Sequence, residues 1–161
     1  MNEQRSLSAD ERQIRSATLE ELMPLMQERL NAGQRIRFAP RGTSMLPMLR
    51  PGRDQVELSP APERLAKYDL PLYRRDAGTY ILHRIAAVGE TYSCVGDNQF
   101  QTEHGVRRDQ IIAVVTSFIR GGREYSVDDA GYQLYCRFWH HTRGVRRFLG
   151  RAVRWIRRQI R

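Results

Sequence analysis

A serine and a histidine stand out as side chains that could do chemistry together. Ser44 lies in the run R-G-T-S-M-L-P, a strand-to-turn junction from which a hydroxyl can project beside free backbone N–H groups. His83 lies in the apolar run Y-I-L-H-R-I, where burial keeps an imidazole neutral near pH 7, the state that a general base requires. Taken singly, each is also typical of an ordinary turn or core position. A hydroxyl and a neutral base are the two residue types that nucleophilic catalysis combines.

Two acids follow the histidine and could complete such a site. Asp97 lies in the turn Gly96-Asp97-Asn98, and Glu103 comes six residues later. Either carboxylate could orient the imidazole ring and stabilise its charged form, although an aspartate in a turn usually hydrogen-bonds to its own backbone. The residues themselves leave both acids open as the third member of the site.

Short alternating and apolar runs predict the strands that hold these residues. Ile36 and Phe38 alternate with arginines, which predicts a strand ending at the turn before Ser44. Further β-like runs cover residues 55–58, 70–73, 79–88, 92–95, 111–119 and 124–127. Because turn residues separate these runs and no strand–helix–strand rhythm is present, residues 34–129 are predicted to form a mostly β domain, an antiparallel sheet or barrel.

A helix is predicted on the N-terminal side, within residues 1–33. Capping-box patterns begin at Ser8 and Thr18. The second pattern leads into apolar residues at helical spacing, Leu19, Leu22, Met23, Met26 and Leu30. The pattern ends at Gly33. Pro24 leaves two alternatives, a kinked helix or one that begins close to the proline.

The excess positive charge lies at the C-terminal end. The 161 residues contain 27 Lys and Arg against 18 Asp and Glu, a net charge of +9, yet the last 25 residues contain nine arginines and no acid. The rest of the chain is therefore neutral. We expect no nucleic-acid binding, since phosphate recognition would place a basic stripe on the folded domain itself.

These arginines belong to a predicted amphipathic helix over residues 130–161. Apolar residues fall on one side: Phe138, Val145, Phe148, Leu149, Ala152, Trp155, Ile156 and Ile160. Arginines fill the other side: Arg143, Arg147, Arg151, Arg154, Arg157, Arg158 and Arg161. Two alternatives follow, a helix lying in an anionic membrane interface and a helix docked on its own domain with a solvated arginine face. The lack of any acid among these arginines favours the membrane.

We expect a cytoplasmic protein, held peripherally at the membrane by this helix. No window reaches the ~20 consecutive apolar residues of a spanning helix, and the first residues lack the apolar stretch of a secretory signal. Cys94 and Cys136 have no second Cys or His at ligand spacing, so two reduced thiols are predicted and no disulfide framework, metal site or cofactor.

The order and spacing of the candidate motifs resemble the signal peptidase I family. G-x-S-M-x-P is followed about forty residues later by an apolar run containing H-R, and then by G-D-N. The resemblance covers roughly residues 35–120 and extends to the wider group of serine peptidases that includes the self-cleaving SOS repressors. In bacterial signal peptidases the base is a lysine, whereas a histidine takes its place in the endoplasmic-reticulum and spore-former relatives. His83 occupies that position here, and Lys67, the chain's one lysine, lies ahead of the base strand.

The resemblance implies a serine endopeptidase with the family's β barrel, cleaving leader, signal or precursor peptides. It implies Ser44 as nucleophile and His83 as general base. The G-D-N turn falls on Gly96 to Asn98, and the second acid of the histidine-type enzymes falls at or near Glu103. We favour Asp97 as a support residue, with Glu103 as the rival for orienting His83.

Two departures from the family pattern support an alternative function. Many relatives carry a hydroxyl residue two positions before the nucleophile to help bind the oxyanion, and Gly42 stands there in this chain. The membrane-bound relatives also have spanning helices. The alternative is a peptide-binding or regulatory module on the same fold that is catalytically weak or inactive.

Overall fold

The part of the chain that the structure describes contains nine strands, two helices, a 3-10 turn and a short helical stretch near its C-terminal end. The structure is a computed structural model, and it describes residues 19–148. The strands are β1 (Ile36–Phe38), β2 (Gln55–Pro60), β3 (Pro71–Arg74), β4 (Tyr80–Leu82), β5 (Arg84–Val88), β6 (Tyr92–Val95), β7 (Glu103–Val106), β8 (Ile111–Arg120) and β9 (Arg123–Ser126). The helices are α1 (Leu19–Asn31) and α2 (Ala130–His141), and the 3-10 turn spans Arg108–Gln110. The prediction of a mostly β protein is confirmed.

The larger sheet is antiparallel and is built around β8. This strand has ten residues, enough to pair with β2 along one side and with both β3 and β9 along the other. β1 pairs with the outer side of β2, and β4 pairs with the outer side of β3. The resulting order is β1-β2-β8-β3-β4, with β9 beside the second half of β8.

The smaller sheet is the antiparallel meander β5-β6-β7, and it begins directly after His83. The single strand predicted over residues 79–88 is therefore wrong. β4 belongs to the larger sheet and β5 to the smaller one, so His83 stands at the crossing between them. The sequence does not predict β7, because its polar stretch E-H-G-V lacks apolar alternation. No strand pairing among residues 19–148 closes the two sheets into a barrel.

Two clusters of buried side chains form the core. The larger cluster packs the larger sheet against both helices and includes Met26, Leu58 and Cys136. The other joins β3 and the start of β8 to the smaller sheet, and includes Tyr73 and Ile85. The candidate site lies where the chain passes from one sheet to the other, so packing on both sides restrains it.

α1 supplies part of the first cluster. Its apolar stripe buries Met23, Met26 and Leu30, as the helical spacing predicts. Pro24 lies inside α1, so the helix does not begin at the proline.

The C-terminal segment is helical but not continuous. α2 begins at Ala130, and after a turn at Thr142 a further helical stretch covers residues 143–148. α2 buries Tyr132 and Cys136 against the sheet, so the segment docks on the domain through these side chains. The predicted apolar side is exposed instead, at Phe138, Val145 and Phe148.

Several expectations concern residues outside the described range. They are the capping boxes at Ser8 and Thr18, the first part of the segment 1–33, and the tail from Leu149 to Arg161. Within residues 19–148, no helix has the length and apolar character needed to cross a membrane.

Candidate active site

Ser44 lies in the turn that joins β1 to β2, at residues 42–49. Met45, Met48 and Leu49 of the same turn are buried, so core packing fixes the backbone around the serine. Gly42 has a φ of +84°, a conformation that residues with a side chain disfavour. This backbone accounts for a glycine where the resemblance implies a hydroxyl residue.

His83 is held at the crossing between β4 and β5, where it is only 4% exposed. Its ring meets the ring of Tyr73 on β3 edge-to-face, with centroids 6.4 Å apart and planes inclined by 64°. Because the chain changes sheets at this residue, the imidazole is enclosed by groups from both of them. His83 is therefore buried at a junction between two sheets and does not lie inside the one strand that the run 79–88 predicts.

Ser44 and His83 are brought together around Gly96. A Cβ atom added to this glycine would lie 3.1 Å from the Ser44 Cβ and 3.1 Å from the His83 Nε2. It would also lie 2.6 Å from the Ser44 carbonyl oxygen, too close for any side chain to fit. No hydrogen bond joins the Ser44 hydroxyl to His83 among the described residues, so what the structure shows is that the Ser44 Cβ and the His83 Nε2 approach the same point.

The other ring nitrogen of His83 faces a tyrosine, which sequence reasoning did not single out. The Tyr73 hydroxyl donates to Glu103 Oε2 at 2.7 Å, and its oxygen lies 3.5 Å from His83 Nδ1. Arg75 donates to both Glu103 oxygens, at 2.8 and 2.6 Å. Because the Tyr73 proton points to Glu103, the phenol oxygen can accept from Nδ1–H. This arrangement favours the tautomer whose free Nε2 is on the side of Ser44.

Burial and hydrogen bonding set the charge of each side chain in this hydrogen-bonded series. Burial lowers the pKa of His83 to about 4, although the Glu103 charge acts to raise it. The hydrogen bond from Arg75 lowers the pKa of Glu103, and burial raises the pKa of Tyr73. At neutral pH the four hydrogen-bonded side chains are therefore the neutral imidazole of His83, the neutral phenol of Tyr73, the carboxylate of Glu103 and the guanidinium of Arg75.

Asp97 accepts hydrogen bonds from a different set of side chains. Arg84 Nε and Nη2 each donate to one of its carboxylate oxygens at 2.8 Å, and both side chains are almost fully buried. The Tyr135 hydroxyl donates to the same carboxylate at 3.1 Å, while Arg84 also donates to the Tyr132 hydroxyl at 2.8 Å. No hydrogen bond joins Asp97 to His83 in the described part of the chain. Glu103 rather than Asp97 is therefore connected to the histidine, through Tyr73.

The G-D-N turn is hydrogen-bonded to the backbone of the turn that contains Ser44. Asn98 N–H donates to the Ser44 carbonyl at 2.8 Å, and the Asn98 side-chain amide donates to the Thr43 carbonyl at 3.2 Å. Gly96 allows this close approach because it lacks a Cβ. The ion pair of Asp97 with Arg84, the residue after His83, ties the turn to the crossing.

The C-terminal helices cover the same turn. The Trp139 indole donates to the Asp97 carbonyl at 2.8 Å, and Arg146 donates to it at 3.3 Å with its guanidinium 3.7 Å from the centre of the Trp139 ring. Arg143, assigned by the helical pattern to the free arginine side, donates to the Phe100 carbonyl. Residues 130–148 are thus part of the structure that holds the site, a role that the composition of the segment does not indicate.

Two cavities reach His83. The smaller one, about 130 Å³, lies between the serine turn and β4, and its lining of mixed polar and apolar residues includes Pro40, Ser44, Met45, Leu49, Ile81 and His83. A wider groove of about 440 Å³ is lined by His83, Arg75 and residues 99–103. A buried base beside a nucleophile, with space on two sides, can accommodate an extended substrate.

Other candidate groups lie elsewhere. Lys67 is exposed, with its ammonium 5.1 Å from the centre of the Tyr68 ring, and it does not line either cavity at His83. Cys94 and Cys136 are free and buried. In the described part of the chain, no group of three or more His, Cys, Asp or Glu side chains could hold a metal ion.

The arrangement of Ser44, His83, Tyr73 and Glu103 has the parts of a nucleophile–base–orienter system. A hydroxyl with a neutral imidazole beside it can attack a carbonyl, whereas the buried pair of Arg84 and Asp97 can only support the backbone. No protein-family model, no curated protein and no solved structure matches the chain.

Proposed function

We propose that this chain is a serine endopeptidase of the signal-peptidase type. One observation supports the proposal above the others: the Ser44 Cβ and the His83 Nε2 converge on the same point at Gly96. The opposite nitrogen of the ring is engaged by Tyr73 and, through it, by Glu103. The proposal includes the β barrel that the resemblance implies, and the two antiparallel sheets support its mostly β character.

In this proposal, Ser44 Oγ attacks the scissile carbonyl carbon while His83 Nε2 takes the hydroxyl proton. The imidazolium then gives this proton to the leaving amine, the C–N bond breaks, and an acyl ester remains on Ser44. Water hydrolyses the ester by the same two steps, with His83 again acting as base and acid. Nδ1–H stays directed to the Tyr73 oxygen throughout, and the Glu103 charge favours the imidazolium that forms.

The substrate we propose is an extended leader, signal or precursor peptide. β4 ends the strand order of the larger sheet, and its half-buried residues Tyr80 to Leu82 line the small cavity beside Ser44. A peptide that added a strand along β4 would pass the nucleophile with its carbonyl exposed to attack. A cavity of about 130 Å³ admits a small side chain next to the scissile bond.

The second candidate is a peptide-binding or regulatory module that keeps the fold without efficient turnover. Two observations favour it. A base with a pKa of about 4 is a weak proton acceptor at neutral pH, since general bases work best when their pKa lies near the working pH. Gly42 also leaves the oxyanion to backbone N–H groups, each of which can be worth ~10²–10³ in turnover.

Labelling with a fluorophosphonate probe separates these functions. The parent protein should be labelled, and Ser44→Ala should abolish the labelling. Ser93→Ala is the matched control, because Ser93 also lies beside a histidine, with its hydroxyl 2.9 Å from His104 Nδ1 on the smaller sheet. Labelling that survives Ser44→Ala, or that is lost with Ser93→Ala, would falsify the peptidase proposal.

The binding module predicts a different pair of results. The parent protein would stay unlabelled, and its affinity for an extended peptide, measured by calorimetry, would be the same after His83→Gln. A peptidase instead loses labelling and peptide cleavage with His83→Gln while it keeps a folded circular dichroism spectrum at pH 7.

A further inference from the structure

The outer face of the C-terminal segment presents a row of exposed apolar side chains. We call Leu134, Phe138, Val145 and Phe148 the outer apolar row. Their exposed fractions are 69%, 61%, 61% and 72%, the highest among the large apolar residues that the structure describes. Leu134 and Phe138 are four residues apart on α2 and therefore share one side of it.

The domain does not need this row for its own packing. α2 docks through the opposite side, where Tyr132 and Cys136 are buried and where Tyr135 and Trp139 donate to Asp97. Docking and exposure thus use different faces of one segment. α2 therefore docks on its own domain, as one of the two alternatives expected, but it does so through Tyr132 and Cys136 and not through Phe138.

The charged residues that the segment itself contributes beside the row are all arginines. Arg137 and Arg147 are exposed beside it, and no acidic residue follows Asp129 in the sequence. Beyond Phe148 the sequence continues with further apolar residues among arginines, R-A-V-R-W-I-R-R. A partner that binds both the apolar row and the arginines must have an apolar layer beneath an anionic surface.

We propose that the outer apolar row and its arginines form a docking surface for an anionic lipid bilayer. Phenylalanine, leucine and valine enter the acyl boundary while arginines remain at the phosphate level. A second copy of the chain fits less well, because pairing two such segments would bring arginines together without any acid between them. A nucleic acid would satisfy the arginines but leave the apolar row without a partner. This surface is independent of the proposed peptidase activity.

Vesicle co-sedimentation with the full chain tests the surface. Vesicles of phosphatidylcholine mixed with phosphatidylserine should bind the protein, and pure phosphatidylcholine should not. Phe138→Ser with Phe148→Ser should weaken binding by at least about tenfold, because the lost apolar burial is the main insertion term. The matched control is Leu25→Ser with Val88→Ser, two apolar residues that are each 51% exposed elsewhere on the surface and should leave binding unchanged.

The arginines are tested in the same assay. Arg137→Gln and Arg147→Gln should each weaken binding roughly fivefold, whereas Arg64→Gln, an exposed arginine remote in sequence from the row, should have no effect. Equal binding to both kinds of vesicle, or full binding by the double phenylalanine variant, overturns the proposal. So does sedimentation velocity showing that the row instead joins two copies, or nucleic-acid binding that excludes vesicles.

Discussion

His83 takes its chemical state from its burial at the crossing between the two sheets. A pKa of about 4 leaves the imidazole neutral at pH 7, so the proton position depends on which ring nitrogen has a partner. Tyr73 is that partner, and it in turn is held by Glu103. Tyr73 thus stands between the Glu103 carboxylate and the imidazole. Glu103 can influence the orientation of the His83 ring only through the tyrosine hydroxyl.

Tyr73→Phe is predicted to lower kcat about tenfold with little change in KM, because the Nδ1–H loses its acceptor while the buried ring is retained. Peptide cleavage measures kcat and KM, and ¹⁵N chemical shifts of His83 report the tautomer. Tyr92→Phe is the control, since Tyr92 also has a buried hydroxyl but accepts from Leu65 N–H. An equal loss in both variants would assign Tyr73 a packing role only.

Gly96→Ala is predicted to abolish labelling of Ser44. The new methyl group would meet the Ser44 carbonyl oxygen at 2.6 Å, so the serine turn has to move, and we expect a loss of stability of about 1–3 kcal/mol. Gly131→Ala is the control and should keep both labelling and stability. Gly131 lies in α2, and a Cβ added there would meet no atom within 4 Å outside its own helix backbone and chain neighbours. Probe labelling and urea denaturation measure the two effects, and a fully labelled Gly96→Ala protein would contradict the proposed geometry.

Sequence reasoning indicated Ser44 and His83 but could not identify what lies behind the histidine. Tyr73 carries no signal in its own segment, because a tyrosine in a β-like run is an ordinary core residue. It reaches His83 only because β3 pairs with β4, and it reaches Glu103 only through β7, a strand without an apolar pattern. Long-range pairing, which one sequence does not encode locally, brings Glu103 and not Asp97 into hydrogen-bond contact with Tyr73.

Among the elements, α2 has the role that the sequence least indicates. The amphipathic pattern of the sequence indicates Phe138 and the arginines. The residues that contact the domain are instead Tyr132, Tyr135 and Trp139, on the inner side of the helix. These side chains cover the buried ion pair of Arg84 with Asp97. A buried pair is stable only when its remaining hydrogen bonds are satisfied, so the helix and the G-D-N turn depend on each other.

Truncation after Asp129 is predicted to abolish cooperative folding or to lower the free energy of unfolding by more than about 3 kcal/mol. The truncated chain loses Tyr132 and Cys136 from the core and exposes the Arg84–Asp97 pair. Truncation after Phe148 is the control, because it keeps residues 130–148 and with them Tyr132, Cys136 and the Arg84–Asp97 pair, and it should cost less stability than truncation after Asp129. Guanidinium denaturation measures both, and an unchanged midpoint after Asp129 would show that the helix is dispensable.

At the scale of the whole molecule, the site exists because the chain changes sheets. The apolar runs predicted most of the strands, yet they could not show that residues 79–88 divide at His83. An uninterrupted strand would have placed the histidine on one face of one sheet. The crossing instead places it between two packed cores, which explains both its burial and its contact with groups from β3 and from the Gly96 turn.

The same burial predicts how the stability of the whole molecule depends on pH. In the unfolded chain His83 has an ordinary pKa near 6.5, whereas in the fold its pKa is about 4. As the pH falls below 6.5, the unfolded state binds a proton that the native state does not, so stability declines until about pH 4. Integrated over this window, the loss is about 3 kcal/mol. Carboxylates such as Glu57, whose pKa is lowered by its hydrogen bond with Arg37, act at lower pH, because their contribution is lost only as they become protonated.

His83→Gln isolates this contribution, because glutamine is neutral at every pH in the window. Urea denaturation at several pH values between 7 and 4 should give a steeper decline for the parent protein than for the variant. His140, whose pKa burial also lowers, is present in both proteins and cancels in the comparison. Parallel curves would mean that His83 ionises equally in the folded and unfolded states, which is incompatible with a buried imidazole, and would remove the basis for a neutral general base at the sheet crossing.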